Sequence, residues 1–188
     1  MKRLFTITIA ILCSFIVQHK VSGQEQFAKT FNLGIGVGGH SGYSSYAAQS
    51  LPVLNISYEL GVVRNFTLAP FLSLYTYRDK YYWSNTNTNY SYRETVIPVG
   101  VKGTYYFDEL LEAHSDWDFY AAGSLGFAIV NARWEEGYEG DKNFYHRGSS
   151  LFLDIHLGAE YHINNKVGVY LDLSSGISTI GLAFHQAR

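Results

Sequence analysis

Several ionisable side chains share one side of the extended segments that the sequence predicts, and they are the residues best able to do chemistry. They alternate with aliphatic residues, so in a strand they all point to the same face. The set comprises Glu59, Glu94, Lys102, Asp154, His156, Glu160 and Asp172. Inside a narrow barrel such groups form a polar network that either fixes packing or lines an ion path, and the interior of a small barrel favours packing.

This set contains an excess of acid, since five carboxylates face one lysine. A buried carboxylate without a cation raises its pKa and holds its proton. Two interpretations remain open: some of these carboxyls stay protonated, or an arginine folds inward to meet them. The candidate arginines are Arg78, Arg93 and Arg133.

The histidines do not predict a metal site. His156 and His162 share a face but stand six positions apart, roughly 20 Å at the usual rise of a strand. His40 and His146 fall in predicted loops without cysteines or clustered carboxylates near them. We therefore expect neither a metal ion nor another cofactor.

A hydrolytic triad is only weakly indicated. His146, with Ser149 or Ser150 and an acid from the preceding loop, is the one local set that could form it. The candidate acids are Glu135, Glu136 and Glu139. All of these residues lie in or beside one loop, where no strand spacing fixes their geometry. We expect a protein that is not an enzyme.

The elements that must position these residues are strands. Period-2 alternation recurs in eight segments, and the chain is rich in tyrosine, phenylalanine and glycine, which predicts an all-β class. The segments cover 31–38, 54–62, 66–75, 94–107, 119–129, 151–162, 167–174 and 180–185. Pro70 and Pro98 fall inside two of them, so we expect a bulge at each proline or a break in the strand.

The N-terminus predicts export. Lys2 and Arg3 precede an apolar run that ends in small residues at 21–23, as in a cleaved secretory signal. The predicted organisation is a signal peptide at 1–23 and one barrel domain at 24–188. The only cysteine, Cys13, lies in the signal, so the mature chain has no disulfide. A formal net charge of −2 gives no reason to expect nucleic-acid binding.

Connector lengths and aromatic positions favour a membrane barrel over a soluble sandwich. Long connectors at 39–51, 79–89 and 134–148 alternate with mostly shorter ones at 63–65, 108–116 and 164–165, as in outer-membrane barrels. The seventh connector, 174–176, is too short for an outer loop, and 109–112 reads as a helical turn. Aromatic residues gather near both ends of the strands, which predicts two belts at the membrane boundaries. The belt at the long loops includes Tyr75, Tyr77 and Tyr92, and the belt at the short turns includes Trp117, Phe119 and Tyr161.

The loop at 79–89 carries exposed aromatic residues among amides and hydroxyls. Tyr81, Tyr82, Trp83 and Trp134 are candidates for contact with an envelope or extracellular protein or a glycan. The alternative is that these residues are the edge of an aromatic belt in contact with outer-membrane lipid.

The alternation, belts and connector asymmetry over residues 30–184 resemble the small eight-stranded outer-membrane barrels of the OmpA/OmpX type. Ile180 to Phe184 is similar to the aromatic terminal signal of that family, with four residues after it. The resemblance implies an antiparallel up-and-down transmembrane β-barrel in the outer membrane, with a salt-bridge network in its lumen. We expect a non-enzymatic structural or surface-interaction role. The alternatives are a narrow ion or small-solute channel, a lipid-modifying enzyme, and a soluble barrel that binds an apolar ligand.

Overall fold

The computed structural model describes residues 29–39, 52–84, 87–107, 116–140 and 151–186, without the side chains of Asp79 and Trp83. The predicted signal peptide and the predicted helical turn at 109–112 lie outside this part of the chain. The strands are β1 (Lys29–Gly38), β2 (Val53–Val63), β3 (Phe66–Trp83), β4 (Thr88–Tyr106), β5 (Trp117–Trp134), β6 (Leu151–Asn164), β7 (Val167–Ser174) and β8 (Ile177–His185).

The eight strands form one closed antiparallel barrel in which each strand pairs with its neighbours in sequence. Pairing of β1 with β8, from Thr30 opposite His185 to Gly38 opposite Ile177, closes the cylinder. The predicted fold class, an eight-stranded up-and-down transmembrane barrel, is therefore confirmed. Among the described residues, no helix is long and apolar enough to cross a membrane.

The outer face of the barrel is apolar and the inner face is polar or small. Leu153, Ile155 and Leu157 on β6 are 66%, 74% and 62% exposed, while Asp154 and His156 between them are buried. Water disfavours an aliphatic band that circles the whole molecule, and the hydrocarbon core of a bilayer suits it. The inversion is thus what a lipid-facing barrel requires.

Pro70 and Pro98 neither break their strands nor create a bulge. The β2–β3 pairing lapses opposite Pro70, between the pairs Ser57–Phe71 and Leu60–Leu68, and resumes in the same register. The β3–β4 pairing lapses in the same way opposite Pro98, between Leu72–Val99 and Tyr75–Val96. Each proline keeps its register with the strand on its other side. The expectation of bulges or breaks was wrong because losing one N–H interrupts a ladder only locally.

Three strands project beyond the closed part of the barrel at the end opposite the short turns. β3 and β4 stay paired from Tyr75–Val96 up to Trp83–Thr88, and β5 follows β4 up to Trp134, opposite Tyr92. Pairing of β5 with β6 ends lower, at Phe127–Leu151. We call this three-stranded part of β3, β4 and β5 the extension. The predicted long loop at 79–89 is therefore wrong: most of it is strand, because alternation of Tyr, Lys, Ser and Thr continues the pleat.

The aromatic belt predicted at this end is also wrong in part. Tyr75, Tyr77 and Tyr92 point into the barrel and are at most 7% exposed. Their positions have the same parity as the inward residues of their strands, and that parity outweighs any general preference of tyrosine for the headgroup region. At the opposite end, Trp117 stacks on Phe119 and contacts Tyr161 on the outer face, as a belt requires.

Candidate functional site

The lumen is organised around Asp172 on β7. Lys102 Nζ on β4 lies 2.8 Å from Asp172 Oδ2, and His156 Nδ1 on β6 lies 2.7 Å from Asp172 Oδ1. The Tyr120 hydroxyl donates to the same carboxylate at 3.1 Å, and Ser124 Oγ lies 2.8 Å from His156 Nε2. Side chains from β4, β5 and β6 thus converge on one carboxylate of β7, which ties four strands of the barrel wall together across its interior.

Two further carboxylates have their own donors. Glu59 accepts from Asn32 Nδ2 at 2.9 Å, from Thr67 Oγ1 at 3.1 Å and from the Tyr106 hydroxyl at 2.7 Å. Glu94 accepts from the Tyr77 hydroxyl at the base of the extension. Neutral hydroxyls and an amide therefore donate to these carboxylates the hydrogen bonds that water would otherwise supply, so an inward arginine is not needed.

Asp154 holds the β7–β8 connection. Its carboxylate accepts from Ser174 Oγ at 2.8 Å and Ser175 Oγ at 2.7 Å, and from the backbone N–H groups of Gly176 at 2.7 Å and Ile177 at 3.0 Å. Hydrogen bonds to a buried carboxylate on β6 thus hold the β7–β8 connection as a tight turn. This explains why the seventh connector is short.

The space between these groups is small and closed above. A cavity of about 40 Å³, enough for two or three waters, lies among Glu59, Lys102, His156 and Asp172. Beyond it, towards the extension, the lumen is filled by apolar side chains. They are Val53, Phe71, Tyr75, Tyr77, Tyr92, Val96, Phe152 and Ile177. We call this set the apolar plug, and it lies between Asp172 with its partners and the extension.

A second polar cluster lies at the end of the barrel that has the short turns. Asp118 Oδ2 on β5 lies 2.6 Å from His162 Nε2 on β6, and Glu160 Oε1 lies 2.6 Å from His185 Nε2 on β8. Thr30 Oγ1 on β1 lies 3.0 Å from His185 Nδ1. The two imidazole rings are 4.9 Å apart between centroids. We call these residues the rim cluster.

The structure separates the seven predicted network residues into groups and adds others. Lys102, His156 and Asp172 contact one another, whereas Glu160 belongs to the rim cluster. Sequence analysis missed Asp118 and His185 as site residues. The alternation does place Asp118 and His185 on the inward face. Only the pairing of Asp118 with Glu160 and the contact of His185 with Glu160 show that all three lie at one level of the barrel.

The outward face of the extension is cationic. Arg78 is the direct neighbour of Arg93, and Arg93 of Arg133, so three arginines stand side by side on adjacent strands. All three are exposed, as is Lys80 two positions above Arg78. The interpretation that one of these arginines folds into the lumen was therefore wrong. Like charges directly opposite one another in a sheet are destabilising without an anion between them.

The predicted loop-contact residues lie on both faces of the extension. Tyr81 and Trp134 face inward and pack edge-on at 5.9 Å, and Tyr138 stacks on Trp134 at 4.2 Å between centroids. Tyr82 is 54% exposed, and its hydroxyl donates to Asn87. Trp83 is the last residue of β3, and its side chain lies outside the described part. Only Tyr82 is thus an exposed contact residue among those described.

Of the predicted triad residues, only the acids lie within the described part. Glu135 Oε2 accepts the backbone N–H of Ser91 at 2.8 Å, and this hydrogen bond lowers the pKa of the Glu135 carboxyl. Glu136 and Glu139 are exposed in the segment after β5. His146, Ser149 and Ser150 lie outside the described residues, so the hydrolytic interpretation stays an untested expectation.

Comparison with known proteins supports the fold alone. No family model and no curated protein matches the chain. A de novo designed transmembrane β-barrel is similar, with a TM-score of 0.51 at 10% identity over 86% of this chain and 97% of that one. Ail, the attachment invasion locus protein of Yersinia pestis, in complex with the heparin analogue sucrose octasulfate, gives a TM-score of 0.42 at 10% identity over 84% and 99%. Ail in a phospholipid nanodisc gives 0.42 at 12% identity over 83% and 97%.

Proposed function

We propose that this protein is a non-enzymatic surface barrel of a bacterial outer membrane. The closed strands anchor it, and the extension is the contact surface for an envelope or extracellular partner. We further propose that the barrel is of the OmpA/OmpX type, lies in the outer membrane and contacts an envelope or extracellular protein or a glycan through the extension. The observation that supports this placement in the membrane is the order of residues on the outward face of β3, β4 and β5.

That outward face changes chemistry in steps. Leu74, Ile97 and Ile129 form one cross-strand row, and Thr76, Thr95 and Asn131 form the next. The arginine row follows, about 7 Å further along the strands. Aliphatic, hydroxyl-bearing and guanidinium groups in this order match hydrocarbon, interface and phosphate layers of a membrane leaflet. The arginine row then lies where lipid phosphates supply the anions that it needs.

The lumen supports a role outside the barrel. Glu59, Asp154 and Asp172 accept hydrogen bonds within the barrel, their cavity has room for only a few waters, and the apolar plug lies between it and the extension. An ion would lose much of its hydration shell on entering the plug, because most of the side chain atoms there are apolar. A channel is accordingly the weaker candidate.

Cysteine labelling tests location and orientation together. The mature chain lacks cysteine, so Tyr82→Cys at the tip of the extension and Asn165→Cys in the short β6–β7 turn are single reporters. On intact cells, a membrane-impermeant maleimide should label Tyr82→Cys and leave Asn165→Cys unlabelled until the outer membrane is permeabilised. Labelling of the turn alone would reverse the proposed orientation, and equal labelling of both would refute a membrane-spanning barrel.

The arginine row has its own test. Arg78, Arg93 and Arg133 changed together to glutamine should weaken binding of the folded barrel to phosphate-bearing lipid in mixed micelles. A control replaces the adjacent row, Thr76→Ser with Thr95→Ser, and should leave binding unchanged. Equal lipid binding by the arginine variant and the wild type would contradict the placement of this row at the phosphate layer.

A further inference from the structure

We propose that Glu160, His162 and His185 form a binding site for a divalent transition-metal ion of the zinc or copper class. Their ligand atoms all lie within 4.8 Å of one another in the rim cluster. Two imidazole nitrogens and one carboxylate oxygen are a usual three-residue ligand set for such ions, with water in the fourth position. This inference does not depend on the proposed surface role.

The distances suit an ion after small movements. His185 Nε2 lies 2.6 Å and His162 Nδ1 lies 3.9 Å from Glu160 Oε1. Ligand bonds of about 2.1 Å in tetrahedral geometry place neighbouring ligand atoms about 3.4 Å apart. The two observed separations lie on either side of that value, so each changes by less than about 1 Å when an ion enters.

The hydrogen-bond contacts of the two imidazole rings decide which nitrogen of each ring can bind the metal. An ionised carboxylate only accepts hydrogen bonds, so His162 Nε2 donates to Asp118, and the neutral ring keeps a lone pair on Nδ1. By the same argument His185 Nε2 donates to Glu160 Oε1, so an ion that binds Nε2 displaces this proton. Thr30 Oγ1, 3.0 Å from His185 Nδ1, can then accept the proton that the neutral ring carries on Nδ1. A carboxylate behind one ligating imidazole and a hydroxyl behind the other are the outer-sphere contacts that orient metal ligands.

Gly168 makes room for the cluster. It lies on β7 between β6 and β8, directly opposite His162, so the strand that separates the ligands carries no side chain at this level. A Cβ at this position would lie 2.0 Å from Glu160 Oε1. Side chains of β6 and β8 meet across β7 only because this residue is glycine.

Charge also favours a cation here. Asp118 and Glu160 face two imidazoles, which balance them only when both rings are protonated. A divalent ion balances the same two carboxylates without a proton on its ligand nitrogens. Because a proton and a metal ion compete for the same imidazole nitrogen, metal affinity should fall as the pH is lowered.

The test is a zinc titration of the folded, untagged barrel in detergent, in competition with a chromophoric chelator. We expect one zinc ion per barrel, and visible absorption typical of tetrahedral cobalt when Co²⁺ replaces zinc. Glu160→Gln, which keeps side-chain volume and a hydrogen bond to His185, should weaken zinc binding at least about 10-fold. Asp118→Asn should weaken zinc binding by about 10–100-fold, because Asp118 orients His162 without contacting the ion.

Two more variants keep the result interpretable. Gly168→Ala retains every ligand but displaces Glu160, so it should also weaken binding, whereas the exposed Asp116→Asn at the same end should not. Heat-dependent electrophoretic mobility verifies that each variant is folded. A wild-type barrel that binds no stoichiometric zinc, or binds it no better than Glu160→Gln, would overturn the proposal.

Discussion

Replacing Asp154 with alanine should destabilise the barrel by about 3–5 kcal/mol. The carboxylate accepts four hydrogen bonds, two of them from the buried backbone N–H groups of Gly176 and Ile177. Two hydroxyls, on Ser174 and Ser175, can rotate to other acceptors after the change. The Gly176 N–H keeps only its longer contact, 3.2 Å to Ser174 Oγ, and the Ile177 N–H loses the carboxylate that accepts from it. A buried donor left without an acceptor costs about 1–3 kcal/mol, and the loss of a charged acceptor adds to that.

Two milder substitutions give a graded series. Asp154→Asn keeps one acceptor oxygen but turns an NH₂ group towards donors, so about 2 kcal/mol should be lost. Ser175→Ala removes one donor to Asp154 and the acceptor of the exposed Ile155 N–H, and it leaves the N–H contacts of Gly176 and Ile177 to Asp154, so about 1 kcal/mol should be lost. Glu139→Ala, an exposed carboxylate outside the barrel, is the control and should change little.

The assay is equilibrium urea unfolding in lipid vesicles, followed by tryptophan fluorescence. Amide hydrogen exchange adds a local readout, since Gly176 and Ile177 should lose protection before the rest of β8 in Asp154→Ala. A loss of less than about 1 kcal/mol in the free energy of unfolding, with the exchange of both amides unchanged, would refute the view that this carboxylate holds the tight β7–β8 connection.

Three other outcomes follow from the same geometry. Gly158→Ala should cost about 1–3 kcal/mol in urea unfolding, because its Cβ would lie 2.1 Å from Tyr120 Cζ; a neutral result would contradict the packing. Wild-type barrels should show no steady conductance in planar bilayers, while Tyr75→Ala, which opens the apolar plug, should; a conducting wild type would restore the channel. The hydrogen bond of Ser91 to Glu135 lowers that carboxyl's pKa, so its contribution is complete above the carboxyl's ordinary pKa and is lost as pH falls through the lowered one. An amide titration of Ser91 by NMR should have its midpoint below that of a solvated glutamate, and an equal midpoint would contradict the contact.

Alternation was enough to predict the eight strands and their two faces, because the side-chain period of a strand is two and each face meets a different environment. Connector lengths and aromatic positions were needed to favour a membrane barrel over a soluble sandwich. The same rule places Leu153 outside and Asp154 inside without any other information. It failed where a second preference was given priority over it. Tyr75 and Tyr77 were assigned to a lipid belt on residue type, although their parity places them in the lumen.

The site was predictable only in part, because parity gives the face of a residue but not its height. Lys102 and Asp172 are 70 residues apart and belong to strands that do not pair. Their contact depends on the tilt of the strands and on the bore of the barrel. His185 joined no predicted cluster for the same reason, since nothing in its local sequence indicates that it lies opposite Glu160.

The glycines of the wall explain why this lumen is filled rather than open. Each of three large inward side chains occupies the space that a Cβ on a neighbouring strand would need: Tyr120 over Gly158, Glu160 over Gly168 and Tyr170 over Gly34. Glycine therefore widens the interior locally, and the extra volume is taken up by a polar side chain and not by water. The described part of the lumen, packed in this way, has little room for a solute. The two binding sites that we propose, the extension and the rim cluster, accordingly lie where charged groups are at the surface or near it.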